Sequence, residues 1–145
     1  MDAMLAEWQE NKLPHAIVML DLDHFKSVND TYGHAVGDKV LQFLAKNMKA
    51  VAREGDVCCR YGGEEFVMLL PNTTAEEAAS VAETLRQVLA NTISPCGRPV
   101  TLSAGVAVYP QMADSTEALF EAADGALYLA KQAGRNQVMV AGQDN

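Results

Sequence analysis

At 145 residues the chain is long enough for one domain with a sizeable core and does not call for a second. Its formal charge of −8 excludes a nucleic-acid polymer as partner, because such binding neutralises phosphates with a basic footprint. No apolar stretch approaches the roughly 20 residues that cross a bilayer, no secretory pattern follows Met1, and three cysteines without metal-type spacing suit a reducing compartment, so a cytoplasmic domain without a membrane segment is expected.

In chain order, Trp8 stands at helical spacing from Leu5 and reads as the packing anchor of a first helix. "AIVMLDLD", Ala16 to Asp23, is a buried-strand run that ends in acid, and "KVLQFLAKNMKAVA" repeats apolar residues at helical spacing. "DVCCRY" and "EEFVMLLP" flank Gly62-Gly63, which predicts a two-residue hairpin loop with positive φ at both turn positions. Cys58, Cys59 and Cys96 read as small buried residues, and Tyr61 and Phe66 as core. Thr74 lies three residues before Glu77, a capping-box spacing, and opens a helix with an apolar face through Ala78, Val81, Ala82, Leu85 and Leu89. "VTLSAGVAVYP" is a strand stopped by proline, "TEALFEAADGALYLAKQAG" a helix with Gly134 at its C-terminal cap, and "QVMVAG" a short last strand. The order predicts an α+β sandwich whose mostly antiparallel central sheet is flanked by helices.

Asp21 and Asp23, two apart at a strand end, share a face, with the Leu22 carbonyl between them. Glu64 and Glu65 leave the hairpin. If the first strand lies beside that hairpin, Asp21 and one glutamate meet and repel unless a cation sits between them. Hard oxygen donors of this kind suit Mg²⁺, which usually takes one or two carboxylates plus substrate phosphates. A lone acidic pair is more often a solvated turn, so the weight falls on the company it keeps. Lys131 and Arg135, four apart, predict one helical face able to hold a terminal phosphate, and they equally complement a C-terminal helix dipole. Asp38 can accept two adjacent N–H donors, which the Watson–Crick edge of guanine offers. It reads equally as a first-turn acid of a helix that follows Gly37.

"DLDHFKSVNDTYGHAVGD", "RYGGEEF", "TLSAGVAVYP" and "ADGALYLAKQAGRN", in that order and separation, resemble the GGDEF family of diguanylate cyclases, with the signature in its GGEEF form, from about Ala16 to Val140. The resemblance implies a ferredoxin-like palm and a bacterial nucleotidyltransferase that condenses two GTP into cyclic di-GMP, a second messenger, with release of pyrophosphate. It implies two Mg²⁺ or Mn²⁺ ions per active site on Asp21, the Leu22 carbonyl and Glu64, with Glu65 at or beside them. Asn29 and Asp38 would bind guanine, Lys131 and Arg135 the outer phosphates, and Lys26 would lie near the same phosphates. Gly62 and Gly63 would let the backbone approach the nucleotide closely. One domain binds one GTP, so a transient antiparallel homodimer is implied for catalysis. The other reading is a weak or inactive domain that binds GTP or cyclic di-GMP, which the presence of Asp21, Glu64 and Glu65 disfavours.

"REGD" sets Arg53 and Asp56 three apart and matches the family's RxxD product-inhibition site, since arginine can fork onto guanine N7 and O6 while aspartate accepts guanine N–H groups. Without a ligand the same pair is a loop ion pair worth under about 1 kcal/mol. An arginine that family members often add on the next helix corresponds to Thr84, with Arg86 nearby, which predicts weaker inhibition. The Leu-Thr-Gly-Leu-x-Asn-Arg signature that usually opens the family does not precede "EWQENKLPHAIVML", and the 145 residues hold neither a sensory nor a dimerising domain. His15, His24 and His34 form no metal-ligand set.

Overall fold

The structure, a computed structural model, describes residues 2–142. The elements run α1 (Asp2–Glu10), β1 (His15–Leu22), α2 (Phe25–Tyr32), α3 (His34–Val51), β2 (Val57–Gly62), β3 (Glu65–Pro71), α4 (Ala75–Ala90), β4 (Leu102–Tyr109), α5 (Thr116–Gln132) and β5 (Val138–Val140). They build one five-stranded sheet in the order β2-β3-β1-β4-β5, antiparallel except for the β4–β5 pair. The predicted α+β architecture is therefore the observed one. What the apolar periodicity did not disclose is α2, whose sequence "FKSVNDTY" buries only Val28.

β1 lies in the middle of the sheet and is buried along its whole length, because helices cover both faces. Strand alternation sorts the core into two layers. Ala16, Val18, Leu20 and Leu22 pack with Leu41, Leu44 and Met48 of α3 and with Ala82, Leu85 and Leu89 of α4. Ile17 and Met19 face the other way, onto Leu5 of α1 and Leu119, Ala123 and Leu127 of α5. Trp8 anchors α1 as expected, with its ring centroid 5.1 Å from that of the buried His15. The parity has a consequence for chemistry: Asp21 belongs to the odd row and so projects toward α5.

Helix ends follow the sequence signals. Thr74 Oγ1 accepts from Glu77 N at 3.1 Å while Glu77 Oε1 accepts from Thr74 N at 3.0 Å, a complete capping box. Gly134 takes φ 118 after α5, with Gly134 N donating to Lys131 O and Arg135 N donating to Ala130 O, the two bonds of a Schellman cap. Three expectations change. Cys96 is buried, but Cys58 and Cys59 on the edge strand β2 are half-buried. Phe66 is core, whereas Tyr61 is 53% exposed and stacks on Phe120, because an edge strand beside a turn offers it no interior. The last strand is only Val138–Val140.

At Gly105 the sheet and α5 touch backbone to backbone: an added Cβ would collide with the Ala123 carbonyl oxygen and the Leu127 nitrogen. Neither neighbour can yield as a side chain would. Gly105→Ala is expected to destabilise the fold by about 2–3 kcal/mol, read as a lower urea midpoint at unchanged slope.

Candidate functional site

The site forms where β1, the β2–β3 hairpin and the end of α5 meet. Asp21 pairs across β1–β3 with Glu65 and across β1–β4 with Ser103, so these three share one row on the α5 side of the sheet. The glutamate directly opposite Asp21 is thus Glu65, the first residue of β3. Glu64 sits in the turn, and its charge acts on Asp21 more strongly than that of Glu65. Gly62 pairs with Glu65, which leaves Gly63 and Glu64 as the turn residues in place of the predicted Gly62-Gly63. Only Gly63 of the two glycines has positive φ, at 49°, because a bulge between Arg60 and Gly62 moves the turn by one residue. Arg60 Nε donates to the Gly63 carbonyl at 2.9 Å and braces this turn. A Cβ at Gly62 would meet nothing within 4 Å, so nothing in the chain's own packing demands glycine there.

Asp21 is 5% exposed. Its Oδ2 accepts from Lys131 Nζ at 2.5 Å, and its Oδ1 is buried without a hydrogen-bond partner. Burial pushes the Asp21 carboxyl above its ordinary range; Lys131 pulls it back, while Glu64 and Glu65 push it further up. Among the described residues no three His, Cys, Asp or Glu side chains converge as a ready metal cage. The donor chemistry nevertheless fits a hard cation that a ligand's phosphates would complete. An orphaned carboxylate oxygen, with two more carboxylates whose charges reach it, is what Mg²⁺ takes when substrate oxygens and water fill the remaining positions. Leu22, whose carbonyl was the other expected ligand, is the last residue of β1.

Lys131 lies in the last turn of α5, but Arg135 does not share its helical face. The helix ends at Gln132, and Arg135 follows Gly134 with φ 65, because the Schellman cap reverses the chain between them. Lys131, on the helix, contacts Asp21, whereas Arg135, on the loop, is exposed to solvent.

On the opposite side of the sheet, α2 carries Lys26 and Asn29 three residues apart, and Lys26 is exposed. Asn29 lies directly against α3: an added Cβ at Gly37 would collide with its Oδ1. This glycine is what allows Asn29 to pack against α3 one residue before Asp38. α3 begins at His34, so Asp38 falls in its second turn, and the first-turn dipole role expected for it does not hold. Asp38 instead forms one end of a cavity of about 490 Å³ that runs between α3 and β2, with Leu41, Gln42, Arg60 and Phe66 on its walls.

Arg53 and Asp56 are already engaged with each other. Arg53 Nε donates to Asp56 Oδ2 at 3.0 Å, Arg53 Nη2 donates to Asp56 Oδ1 at 3.2 Å and to Thr73 Oγ1 at 2.6 Å, and Arg53 N donates to Asp56 Oδ2 at 2.7 Å. The α4 residues near Arg53 are Glu76, Glu77, Ser80 and Val81. Thr84 Oγ1 donates to Ser80 O within α4. Arg86 points elsewhere: it forks onto Glu83 at 2.6 and 2.7 Å and donates to Asn136 Oδ1 at 3.0 Å. It does not replace the arginine absent at Thr84.

Three residues near the site escaped the sequence reading of function: Gly37, Asn136 and Asp23 as a hydrogen-bond hub. Asp23 was visible only as one member of an acidic pair. Its carboxylate accepts from Thr101 Oγ1 at 2.7 Å, Ser103 Oγ at 2.6 Å and Asn136 N at 2.9 Å. Those donors lie 78 or more residues away in sequence, so no local pattern could announce them.

Comparison with known proteins places this geometry in context. The profile of the family described as "Diguanylate cyclase, GGDEF domain" matches residues 1–137. Diguanylate cyclase A of Treponema denticola is 47% identical over 132 residues, covering 89% of this chain and 36% of that protein. The chain spans about a third of the length of the curated relatives it matches first. The active GGEEF domain of a diguanylate cyclase from Vibrio cholerae superposes with TM-score 0.90 at 35% identity, covering 99% of this chain and 92% of that one. The GGDEF domain of DgcB from Caulobacter crescentus, solved in complex with c-di-GMP, superposes with TM-score 0.87 at 34% identity over 98% of this chain and 86% of that one.

Proposed function

Since the chain belongs to the diguanylate cyclase, GGDEF domain, family, we propose that it condenses two GTP into cyclic di-GMP and two pyrophosphates, each single domain of an antiparallel homodimer holding one GTP. The observation that carries this reading is Asp21: a buried carboxylate opposite Glu65, with one oxygen on Lys131 and the other unpartnered.

Each residue then has a chemical task. Asp21, the Leu22 carbonyl and Glu64 hold two divalent cations, Mg²⁺ or Mn²⁺, and Glu65 lies beside them. Bound there, the cations supply Lewis-acid polarisation of the α-phosphate, a more acidic 3′-hydroxyl and charge compensation for the departing pyrophosphate. Lys131, whose ammonium keeps donors in reserve beyond the bond to Asp21, and Arg135 bind the outer phosphates, with Lys26 near them. The open space over Gly62 and the positive φ of Gly63 admit the nucleotide against the hairpin backbone. Asn29, which packs against Gly37, and the adjacent Asp38 read the guanine edge. Arg53 and Asp56 bind product and restrain the dimer, weakly, because cyclic di-GMP must compete with their mutual ion pair and meets Thr84 where relatives often carry arginine. Among the described residues no helix is long and apolar enough to cross a membrane, and free thiols together with a nucleoside triphosphate substrate favour the cytoplasm.

The test is product analysis by mass after incubation with Mg²⁺ and GTP, ATP or both. Cyclic di-GMP from GTP alone supports the reading, and a mixed or adenine product would replace it. Asp38→Ala should lower the preference for GTP over ATP by about tenfold or more, because the guanine N–H donors lose their paired acceptor. Unchanged selectivity in competition binding would remove Asp38 from base recognition.

A further inference from the structure

The loop after α5 contains two consecutive left-handed residues, Arg135 at φ 65 and Asn136 at φ 48, and neither is glycine. Such backbone persists only where its surroundings over-determine it, and it tends to gather at working sites. Here the peptide joining the two residues is bonded at both ends. Arg135 O accepts from Gln137 Nε2 at 3.0 Å, and Asn136 N donates to Asp23 Oδ2 at 2.9 Å. The Asn136 side chain is held as well, with its Oδ1 accepting from Arg86 Nη1 at 3.0 Å.

The two holders are themselves fixed. Asp23 is 7% exposed and locked by the hydroxyls of Thr101 and Ser103, at the β4 end of the sheet. Arg86 is forked onto Glu83 within α4. Thus the end of β1, the start of β4 and α4 all converge on Asn136. The Arg135 side chain, by contrast, is exposed and makes no hydrogen bond or ion pair among the described residues. The clamp fixes the backbone from which a free guanidinium projects.

We infer that Asp23, assisted by Arg86, is a positioning residue for outer-phosphate binding: by clamping Asn136 it holds Arg135 in the left-handed conformation that presents its guanidinium to the ligand. This rests on the assignment of Arg135 to the outer phosphates made above. Asp23 is only two residues from Asp21, but its carboxylate is occupied by three donors, and its task is to accept the Asn136 N–H.

The experiment compares affinities of the full chain, with Mg²⁺, for GMP and for the α,β-methylene analogue of GTP, which cannot release pyrophosphate. Asp23→Ala should weaken the triphosphate analogue by about tenfold while GMP, lacking the outer phosphates, binds as in wild type. Asp23→Asn should restore the affinity, because its carbonyl can still accept the Asn136 N–H while its amide donates to the Ser103 hydroxyl. A metal ligand would not tolerate that exchange. Arg135→Ala should show the same selective loss, and the double variant Asp23→Ala/Arg135→Ala should lose little more, since both act through one contact. If Asp23→Ala does not fold, Arg86→Ala, at a partly exposed position of α4, should give a smaller loss confined to the triphosphate. Wild-type affinity in Arg135→Ala would overturn the phosphate assignment itself, and the inference with it. An Arg135→Ala loss accompanied by wild-type affinity in Asp23→Ala and Arg86→Ala, by equal losses for GMP, or by additive losses in the double variant would overturn the positioning role alone.

Discussion

Glu64→Ala and Asp21→Ala are each expected to lower cyclic di-GMP formation by about a thousandfold or more, since several kcal/mol of charge stabilisation are lost and each 1.36 kcal/mol is tenfold. The fold should survive, because Glu64 sits in a turn and Asp21 at the end of its strand. Near-wild-type turnover in either variant, with metal present, would remove these carboxylates from catalysis. Asp21→Asn adds a stability test. Burial holds the Asp21 carboxyl above its ordinary range, even against the pull of Lys131. A folded-state pKa above the unfolded one means that the protonated form favours folding, a contribution present at low pH and lost as pH rises through the folded pKa. At pH 7 the ionised group is therefore a net cost. In metal-free buffer Asp21→Asn should melt a few degrees above wild type at pH 7, and the gap should close as pH falls through the folded pKa of Asp21. A variant that melts below wild type at pH 7 would show that the Lys131 ion pair outweighs the desolvation.

Specific activity is expected to rise with enzyme concentration, because each domain brings one GTP and two must face each other before either 3′-hydroxyl reaches the α-phosphate of the other. A coiled coil fused ahead of Met1 through a flexible linker should raise the rate at low concentration by roughly 10²-fold or more, by turning encounter into an intramolecular event. Added cyclic di-GMP should restrain the reaction through Arg53 and Asp56. The effect should be modest, since the product displaces an ion pair that Arg53 already makes with Asp56 and a hydrogen bond to Thr73. Arg53→Ala should relieve it. The measurement is initial rate against enzyme concentration, with and without product: constant specific activity in a verified monomer would refute the two-domain mechanism, and equal inhibition of wild type and Arg53→Ala would refute the regulatory site.

Local chemistry wrote much of this protein into its sequence. The buried run of β1, the capping box at Thr74 and Glu77, the glycine after α5 and the apolar stripes of α3 and α4 are short-range consequences of periodicity and backbone preference, and they appear where those signals put them. The candidate residues were also legible by type, because few chains set acids, glycines and cations in this order. Tertiary structure decided how they meet. A bulge in β2 shifted the turn to Gly63 and Glu64, and the β1–β3 register set Glu65 opposite Asp21, matters of strand pairing that no single strand contains. Strand parity turned Asp21 toward α5, so Lys131, 110 residues away, became its partner. α2 was hidden because an eight-residue helix with one buried residue draws its stability from neighbours rather than from its own pattern. Arg135 left the face of Lys131 because a cap reverses the chain, and Asp23 acquired its donors from β4 and the last loop. Spacing along a chain determines what one element can do, whereas contacts between elements depend on packing both faces of the sheet at once, and that is where this site is made.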